Sequence, residues 1–180
     1  MNQYIRVKGH CLTLHQQGPE GRWQTILRAY CGYGRNGFSN NKKEGDGCTP
    51  IGTFTMEEAF GTVSDIEFKA RNKQLDYRKI GPNSYWSGER EDYNRWVEVK
   101  PETRSMSASE HLADYPVQYK YAMSIGYNTK SPIYGAGSAI FLHCKGPKGW
   151  PTAGCISIKE EKMLELLALL KPGATIEIVE

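Results

Sequence analysis

The amino-acid sequence predicts a mainly β protein, either a sandwich or a partly open barrel, with one helix in its C-terminal region. Three observations lead to this prediction. Short runs alternate between apolar and polar residues, turns containing Gly or Pro separate these runs, and helical periodicity occurs in one late segment. Of the residues, 39% are hydrophobic and 24% are charged, as in an ordinary globular protein. We therefore expect residues 1–180 to form a single domain.

The first third of the chain predicts a meander of antiparallel strands. Ile5 and Val7 alternate with polar residues, and the next run repeats this pattern. Residues 18–21, Gly-Pro-Glu-Gly, predict a turn before a third strand at 23–29. Residues 32–52 are rich in Gly, Asn and Lys, which predicts a long loop.

The middle of the chain predicts an insertion over the core. After a strand at 53–56, residues 61–95 are polar and rich in aromatic side chains, and no periodicity assigns them to a helix or a strand. We expect an insertion at about 61–95 whose aromatic side chains, with that of a following residue, line a groove: Tyr85, Trp86, Tyr93 and Trp96.

The second half predicts further strands and the helix. Residues 159–170 carry four apolar residues at helical spacing, and Pro172 and Gly173 end the segment. These four residues are Met163, Leu166, Leu167 and Leu170. The predicted strands lie at 96–100, 119–127, 138–143, 155–158 and 174–179.

Charge and hydropathy exclude several classes of protein. The formal net charge of +3 comes from scattered residues, whereas a nucleic-acid-binding protein would have a clustered basic stripe. No apolar run approaches the length of a membrane span, and residues 1–6 lack the apolar region of a signal peptide. The sequence leaves the oligomeric state open.

The five cysteines are Cys11, Cys31, Cys48, Cys144 and Cys155. An odd number leaves at least one thiol unpaired, while a disulfide among the others stays open. No pair has the CxxC spacing, which argues against a zinc ribbon or a thioredoxin-like motif.

The segment 141–157 holds the strongest candidate for chemistry. An apolar strand ends in His143, a Gly/Pro/Lys loop follows, and Cys155 comes directly after Gly154. A thiol needs a nearby base to become a thiolate at neutral pH, and an imidazole at the end of a rigid strand can supply that help. The backbone amides of Gly154 and Cys155 can then face a developing oxyanion.

Other interpretations of these residues stay open at this point. A single Cys in an apolar strand is usually a small buried hydrophobic residue, and a His at a strand end is usually a hydrogen-bonded surface residue. Cys144 is a weaker nucleophile because its side chain points to the opposite strand face from that of His143. A zinc site of His143, Cys144 and Cys155 lacks an obvious fourth ligand.

Two segments resemble the L,D-transpeptidase (YkuD-type) catalytic domain. His143, a variable loop and residues 152–155, Thr-Ala-Gly-Cys, match the family's histidine and its Ser/Thr-x-Gly-Cys block. Residues 45–54 resemble the family's D-x-x-T-P-x-G-x-F segment, and the strand at 137–143 also agrees. The resemblance extends from about residue 30 to the C-terminus. Ala153 and Ser157 differ from the residues that many members have at these positions.

The resemblance implies a β-rich fold and acyl transfer on peptidoglycan stem peptides. Cys155 would attack the carbonyl after the third stem residue, His143 would act first as base and then as acid, and Gly154 would supply a backbone oxyanion donor. An amine from a second stem would resolve the thioester and form a 3-3 type linkage. No metal or organic cofactor is implied.

Four further residues are expected to bind substrate: Thr152 in the cysteine block, His111, Asn128 and Trp150. Of these, His111 follows Glu110 before an apolar segment, and either of the two could face the cleft. Asn128 ends a predicted strand, and Trp150 could cap the site or pack its loop. For Glu110 and His111, an exposed surface pair is an equally good interpretation, and for Asn128 a turn is.

Two alternatives to transpeptidation remain. An L,D-carboxypeptidase would use the same residues and water in place of the amine, trimming tetrapeptide stems to tripeptides. A non-catalytic wall-binding module would keep the fold and need neither Cys155 nor His143. Since peptidoglycan lies outside the membrane, the substrate implies an extracytoplasmic location, in the periplasm or the cell wall.

Overall fold

The computed structural model describes residues 2–100 and 102–180 and confirms a mainly β architecture. In chain order, the strands are β1 Gln3–Lys8, β2 Cys11–Gln17, β3 Trp23–Gly32, β4 Phe38–Ser39, β5 Thr49–Pro50, β6 Gly52–Gly61, β7 Tyr77–Lys79, β8 Ser84–Trp86, β9 Trp96–Glu98, β10 Glu110–His111, β11 Ala122–Ile125, β12 Phe141–Cys144, β13 Ile156–Ile158 and β14 Thr175–Val179. The helices are α1 Asp65–Arg71 and α2 Glu160–Leu169, with 3₁₀ turns at Arg90–Asp92, Leu112–Asp114 and Gln118–Lys120.

The main sheet closes on itself. Its order is β11-β12-β13-β3-β2-β1-β14-β6-β7, and β6 also pairs with β11, so that eight strands form a ring and β7 is added outside it. Strand β6 makes closure possible because its first half pairs with β14, from Gly52 to Thr55, and its second half with β11, from Met56 to Phe60. The barrel is therefore closed, whereas the sequence predicted a partly open one. Closure removes the unpaired edges of a sheet.

The predicted meander and the late helix are both confirmed. Strands β1, β2 and β3 pair antiparallel in sequence order. Met163, Leu166 and Leu167 are fully buried under α2, and Leu170 just beyond its end is 2% exposed. Burying four such side chains stabilises the fold by roughly 1.5–3 kcal/mol each. The helix is thereby fixed against the barrel.

The expectation of a single helix is wrong, because α1 lies within residues 61–95. Ser64 caps it by accepting a hydrogen bond from Glu67 N, and Phe68 is its only buried residue. A seven-residue helix with one buried side chain has no apolar periodicity to detect. The loop expected at 32–52 is present apart from the two-residue strands β4 and β5.

Of the aromatic residues expected to line a groove, Tyr85 and Tyr93 pack inward, while Trp86 and Trp96 line a surface cavity with Arg78. Tyr85, Trp86 and Tyr93 are all less than 9% exposed, and Trp96 is half-buried. Strands β10, β8 and β9 form a small separate sheet in that order. This sheet supplies Trp86 to a second apolar cluster, which also contains Phe60, Tyr119, Phe141 and Cys155. The middle segment therefore covers the part of the barrel that holds Cys155.

No helix in the described ranges is long and apolar enough to cross a membrane. The thiols of all five cysteines are free in the structure.

Candidate active site

Cys155 follows a turn that requires glycine at position 154. Gly154 has φ +151°, and a side-chain Cβ there would lie 2.9 Å from Cys48 O. Within the turn, Thr152 Oγ1 donates to Cys155 O at 2.6 Å and accepts from Gly154 N at 3.1 Å. These bonds fix the backbone on both sides of the glycine, so the turn positions the Cys155 side chain.

The Cys155 sulfur is held by two backbone groups, one in β12 and one just before that strand. Its thiol donates to Ala139 O at 3.2 Å, and Phe141 N–H donates to the sulfur at 3.3 Å. Burial raises the pKa of the thiol to about 12, with a further increase from the negative charge of Glu110; the Phe141 amide and Lys42 act in the opposite direction. The free protein therefore carries a neutral thiol at physiological pH.

His143 lies on β12 and is also neutral. Its Nδ1 is 2.8 Å from Cys144 O. Because a carbonyl oxygen only accepts hydrogen bonds, the proton is on Nδ1, and Nε2 keeps its lone pair. Burial lowers the pKa of the imidazole to about 4, against a smaller opposite effect of the Cys144 carbonyl. An unprotonated Nε2 is the form that a general base requires.

A cavity of about 210 Å³ brings the two groups together; its lining includes His143, Cys155, Thr152, Tyr119, Glu110 and Lys148. The ring of Tyr119 packs edge-on against His143 with centroids 5.6 Å apart. Within residues 2–100 and 102–180, no hydrogen bond joins His143 to Cys155. The pair shares one cavity while the thiol proton is directed at Ala139.

Strand alternation separates the two sulfur candidates. His143 faces the cavity, whereas Cys144 lies in the main core and its sulfur is 3.5 Å from Tyr121 O. Burial raises the pKa of Cys144 to about 11. The described part of the chain holds no group of three or more His, Cys, Asp or Glu side chains arranged to bind a metal ion.

Of the four residues expected to bind substrate, Thr152 alone lines the cavity with Cys155 and His143. Its hydroxyl is occupied by the turn described above. His111 does not line the cavity, whereas its neighbour Glu110 does. The His111 ring stacks on Tyr85 and is bonded to Asp114 Oδ1 at 2.9 Å and Pro82 O at 2.8 Å.

Asn128 and Trp150 have structural contacts elsewhere. Asn128 has φ +54°, and its amide group bridges the backbone of Ile133 and Gly137. The indole of Trp150 packs on Tyr30 at 4.6 Å between centroids, outside the cavity that its neighbours Gly149 and Pro151 line. Neither side chain lines the cavity of Cys155 and His143.

Sequence reasoning missed two groups behind the turn that precedes Cys155. Lys42 is a cation whose side chain is 3% exposed, and it pairs with Asp46 at 2.7 Å. Thr49 is fully buried, accepts from Gly34 N at 2.9 Å and donates to Gly154 O at 2.7 Å. Thr49 belongs to the Thr-Pro-x-Gly segment and could have been found from it, whereas a lysine in a polar loop carries no such signal.

A neutral thiol and a neutral imidazole that open into one cavity are the groups from which cysteine acyl-transfer enzymes are built. The chain belongs to the YkuD family of L,D-transpeptidase catalytic domains, whose sequence model matches residues 16–178. A search of curated proteins finds no match.

Solved structures superpose over almost all of this chain. The helical cell shape determining protein Pgp2 from Campylobacter jejuni superposes with a TM-score of 0.53 at 13% identity, covering 99% of this chain and 48% of its own. L,D-transpeptidase 1 of Mycobacterium tuberculosis gives 0.47 at 15% identity, covering 99% and 62%. The L,D-transpeptidase of Mycobacterium smegmatis gives 0.46 at 13% identity, covering 99% and 58%. The chain thus spans about half to three-fifths of these proteins.

Proposed function

We propose that this chain is a cysteine-dependent acyltransferase that forms or remodels 3-3 linkages between peptidoglycan stem peptides. Residues 1–180 act as one catalytic domain with the insertion at about 61–95, and the substrate places its action outside the cytoplasm. One observation carries the proposal. Cys155 and His143 line the same cavity of a chain that belongs to the L,D-transpeptidase family.

Acylation begins when the substrate redirects the thiol. In the free protein the thiol proton points at Ala139 O, and Nε2 of His143 is unprotonated. On substrate binding, the thiol turns to Nε2, the proton transfers, and the sulfur forms a bond to the carbonyl carbon. The Phe141 amide keeps donating to the sulfur and stabilises its negative charge.

Collapse of the tetrahedral intermediate completes the first half-reaction. The carbon–nitrogen bond breaks, and His143 returns its proton to the leaving amine, so the terminal D-amino acid departs and a thioester remains on Cys155. Backbone amides of Gly154 and Cys155 are the proposed oxyanion donors. The Gly154 amide donates to Thr152 in the free protein, so this role requires it to share or exchange that partner.

Mass spectrometry tests the assignment. Tetrapeptide muropeptides are incubated with wild type, with Cys155→Ala and with Cys11→Ser, a control on a half-exposed thiol of the barrel wall. We expect a covalent acyl adduct and cross-linked dimers with wild type and Cys11→Ser only. Tripeptide products without dimers would favour the carboxypeptidase, and an unchanged adduct on Cys155→Ala would refute the nucleophile.

A further inference from the structure

A second cavity adjoins the backbone segment that holds the Cys155 sulfur. Its volume is about 240 Å³, and Ala139, whose carbonyl accepts the thiol hydrogen bond, is part of its wall. Glu110 and Tyr115 line both this cavity and the one shared by Cys155 and His143. Glu110 is therefore shared by the cavity that Cys155 lines and by the cavity next to the carbonyl that accepts its thiol proton.

The two cavities differ in charge. Both contain Glu110, but the first also has Lys148 in its wall, whereas the second has Glu44 and, among the described residues that line it, no basic side chain. A cavity of this charge suits a cationic group. The first cavity is the more suitable one for a carboxylate, since it holds the lysine.

Glu110 is the carboxyl of the second cavity that also lines the first, whereas Glu44 lines the second cavity alone. Glu44 Oε2 already accepts hydrogen bonds from the hydroxyls of Tyr93 and Ser138. Glu110 Oε1 accepts one from Tyr119, and no hydrogen bond to its Oε2 occurs within the described ranges. A ligand amine can therefore bind Oε2 without displacing a protein donor.

The environment also suits Glu110 to proton transfer. Burial raises the pKa of its carboxyl to about 7, and Glu44 adds to this effect while the Tyr119 hydroxyl opposes it. A base works best when its pKa is close to the working pH. Glu110 is also close enough to the nucleophile for its charge to raise the pKa of Cys155.

We propose that Glu110 binds the ammonium group of the acceptor in the second cavity and takes a proton from it, so that a primary amine attacks the Cys155 thioester. This inference rests on the proposed function. The Glu110 carboxylate becomes a carboxylic acid as the ammonium becomes an amine. The nitrogen then forms a bond to the thioester carbon, the carbon–sulfur bond breaks, and the second proton passes through His143 to the sulfur. Glu110 returns its proton to solvent.

The test separates acylation from aminolysis. Acyl-enzyme is formed with a tetrapeptide muropeptide on wild type, Glu110→Gln and Glu161→Gln, a control on an exposed residue of α2. Its decay is then followed by intact mass with two acceptors: a tripeptide muropeptide, whose side-chain amine is protonated at neutral pH, and methoxyamine, which is not. We expect Glu110→Gln to lower aminolysis by the muropeptide about 100-fold, the scale of general-base catalysis, and to keep acylation and methoxyamine aminolysis within about threefold.

Each other outcome overturns the inference. An equal loss with both amines would make Glu110 a structural residue, and a loss of acylation would place it in the first half-reaction. Unchanged aminolysis by the muropeptide would remove its role altogether. Failure of wild type to form any acyl-enzyme would refute the proposed function itself. If wild type forms the acyl-enzyme normally, a negative result with Glu110→Gln overturns this inference alone.

Discussion

The hydroxyl of Thr49 donates a hydrogen bond to the carbonyl oxygen of Gly154 over 2.7 Å, across 105 residues of chain. The same hydroxyl accepts from Gly34 N at 2.9 Å. One buried side chain thus ties the Thr-Pro-x-Gly segment and the loop after β3 to the turn that presents Cys155. The two motifs that resemble the L,D-transpeptidase family are parts of one structural unit.

Replacing Thr49 by Val tests this unit. The substitution keeps the shape of the side chain and leaves the buried Gly154 carbonyl and Gly34 amide without their partner, which costs about 1–3 kcal/mol for each such group. We expect a lower melting temperature and slower acylation of Cys155, measured by thermal unfolding and intact mass. The exposed Thr53→Val is the control. Equal stability of the two variants would contradict the role of the Thr49 bond.

Replacing His143 by Gln tests the base. Glutamine is polar and similar in size, but it has no basic nitrogen, so we expect acylation at neutral pH to fall about 10²–10⁴-fold in a folded protein. His111→Gln serves as control, because that ring lies outside the cavity. Stopped-flow measurement of adduct formation gives the rate, and circular dichroism checks the fold. Near-wild-type acylation by the folded variant would exclude His143 as the base.

Gly32 packs directly against the loop before Cys155, which makes it intolerant of a side chain. A Cβ there would lie 2.0 Å from Trp150 O and 2.5 Å from Ser157 Oγ. Gly32→Ala should cost about 1–3 kcal/mol of unfolding free energy and slow acylation, because the backbone must move. A Cβ at Gly18 would lie 3.6 Å from Arg22 O, an ordinary contact, so Gly18→Ala should change neither the unfolding free energy nor the acylation rate. Chemical denaturation of both variants gives the comparison, and similar midpoints would show that the loop yields easily.

Two buried groups of the site should make stability depend on pH in opposite directions. Burial lowers the pKa of His143 from 6.5 to about 4, so its contribution is complete above pH 6.5 and is lost as the pH falls toward 4. Burial raises the pKa of Glu110 from 4.5 to about 7, so its contribution is complete below pH 4.5 and is lost as the pH rises toward 7. Each amounts to about 3 kcal/mol over its window.

Single variants should reveal these opposed contributions. Relative to wild type, Glu110→Gln should gain stability as the pH rises from 4.5 to 7, whereas His143→Gln should lose stability as the pH rises from 4 to 6.5. Urea denaturation at half-unit pH intervals measures both differences, and groups common to all three proteins cancel. Parallel curves for the three proteins would contradict the burial of both groups.

Much of the fold follows from local pattern. A sequence carries two such signals by itself: the alternating apolar residues of β1 and β2, and the four apolar residues at helical spacing in and just after α2. Helix α1 has no such signal in its sequence, because Phe68 is its only buried residue. Barrel closure is equally hidden, since it depends on one long strand, β6, with different partners along its two halves.

The sequence by itself determined the residue types of the site, because a histidine ending an apolar strand and a cysteine after a glycine are local features. The tertiary structure decided what surrounds them. Only folding brings Thr49, Lys42 and Glu110 beside Cys155, and only alternation in a two-residue strand directs Glu110 inward and His111 away. The pKa of each group and the hydrogen bonds available to it depend on the residues packed around it, and those residues are distant in the chain.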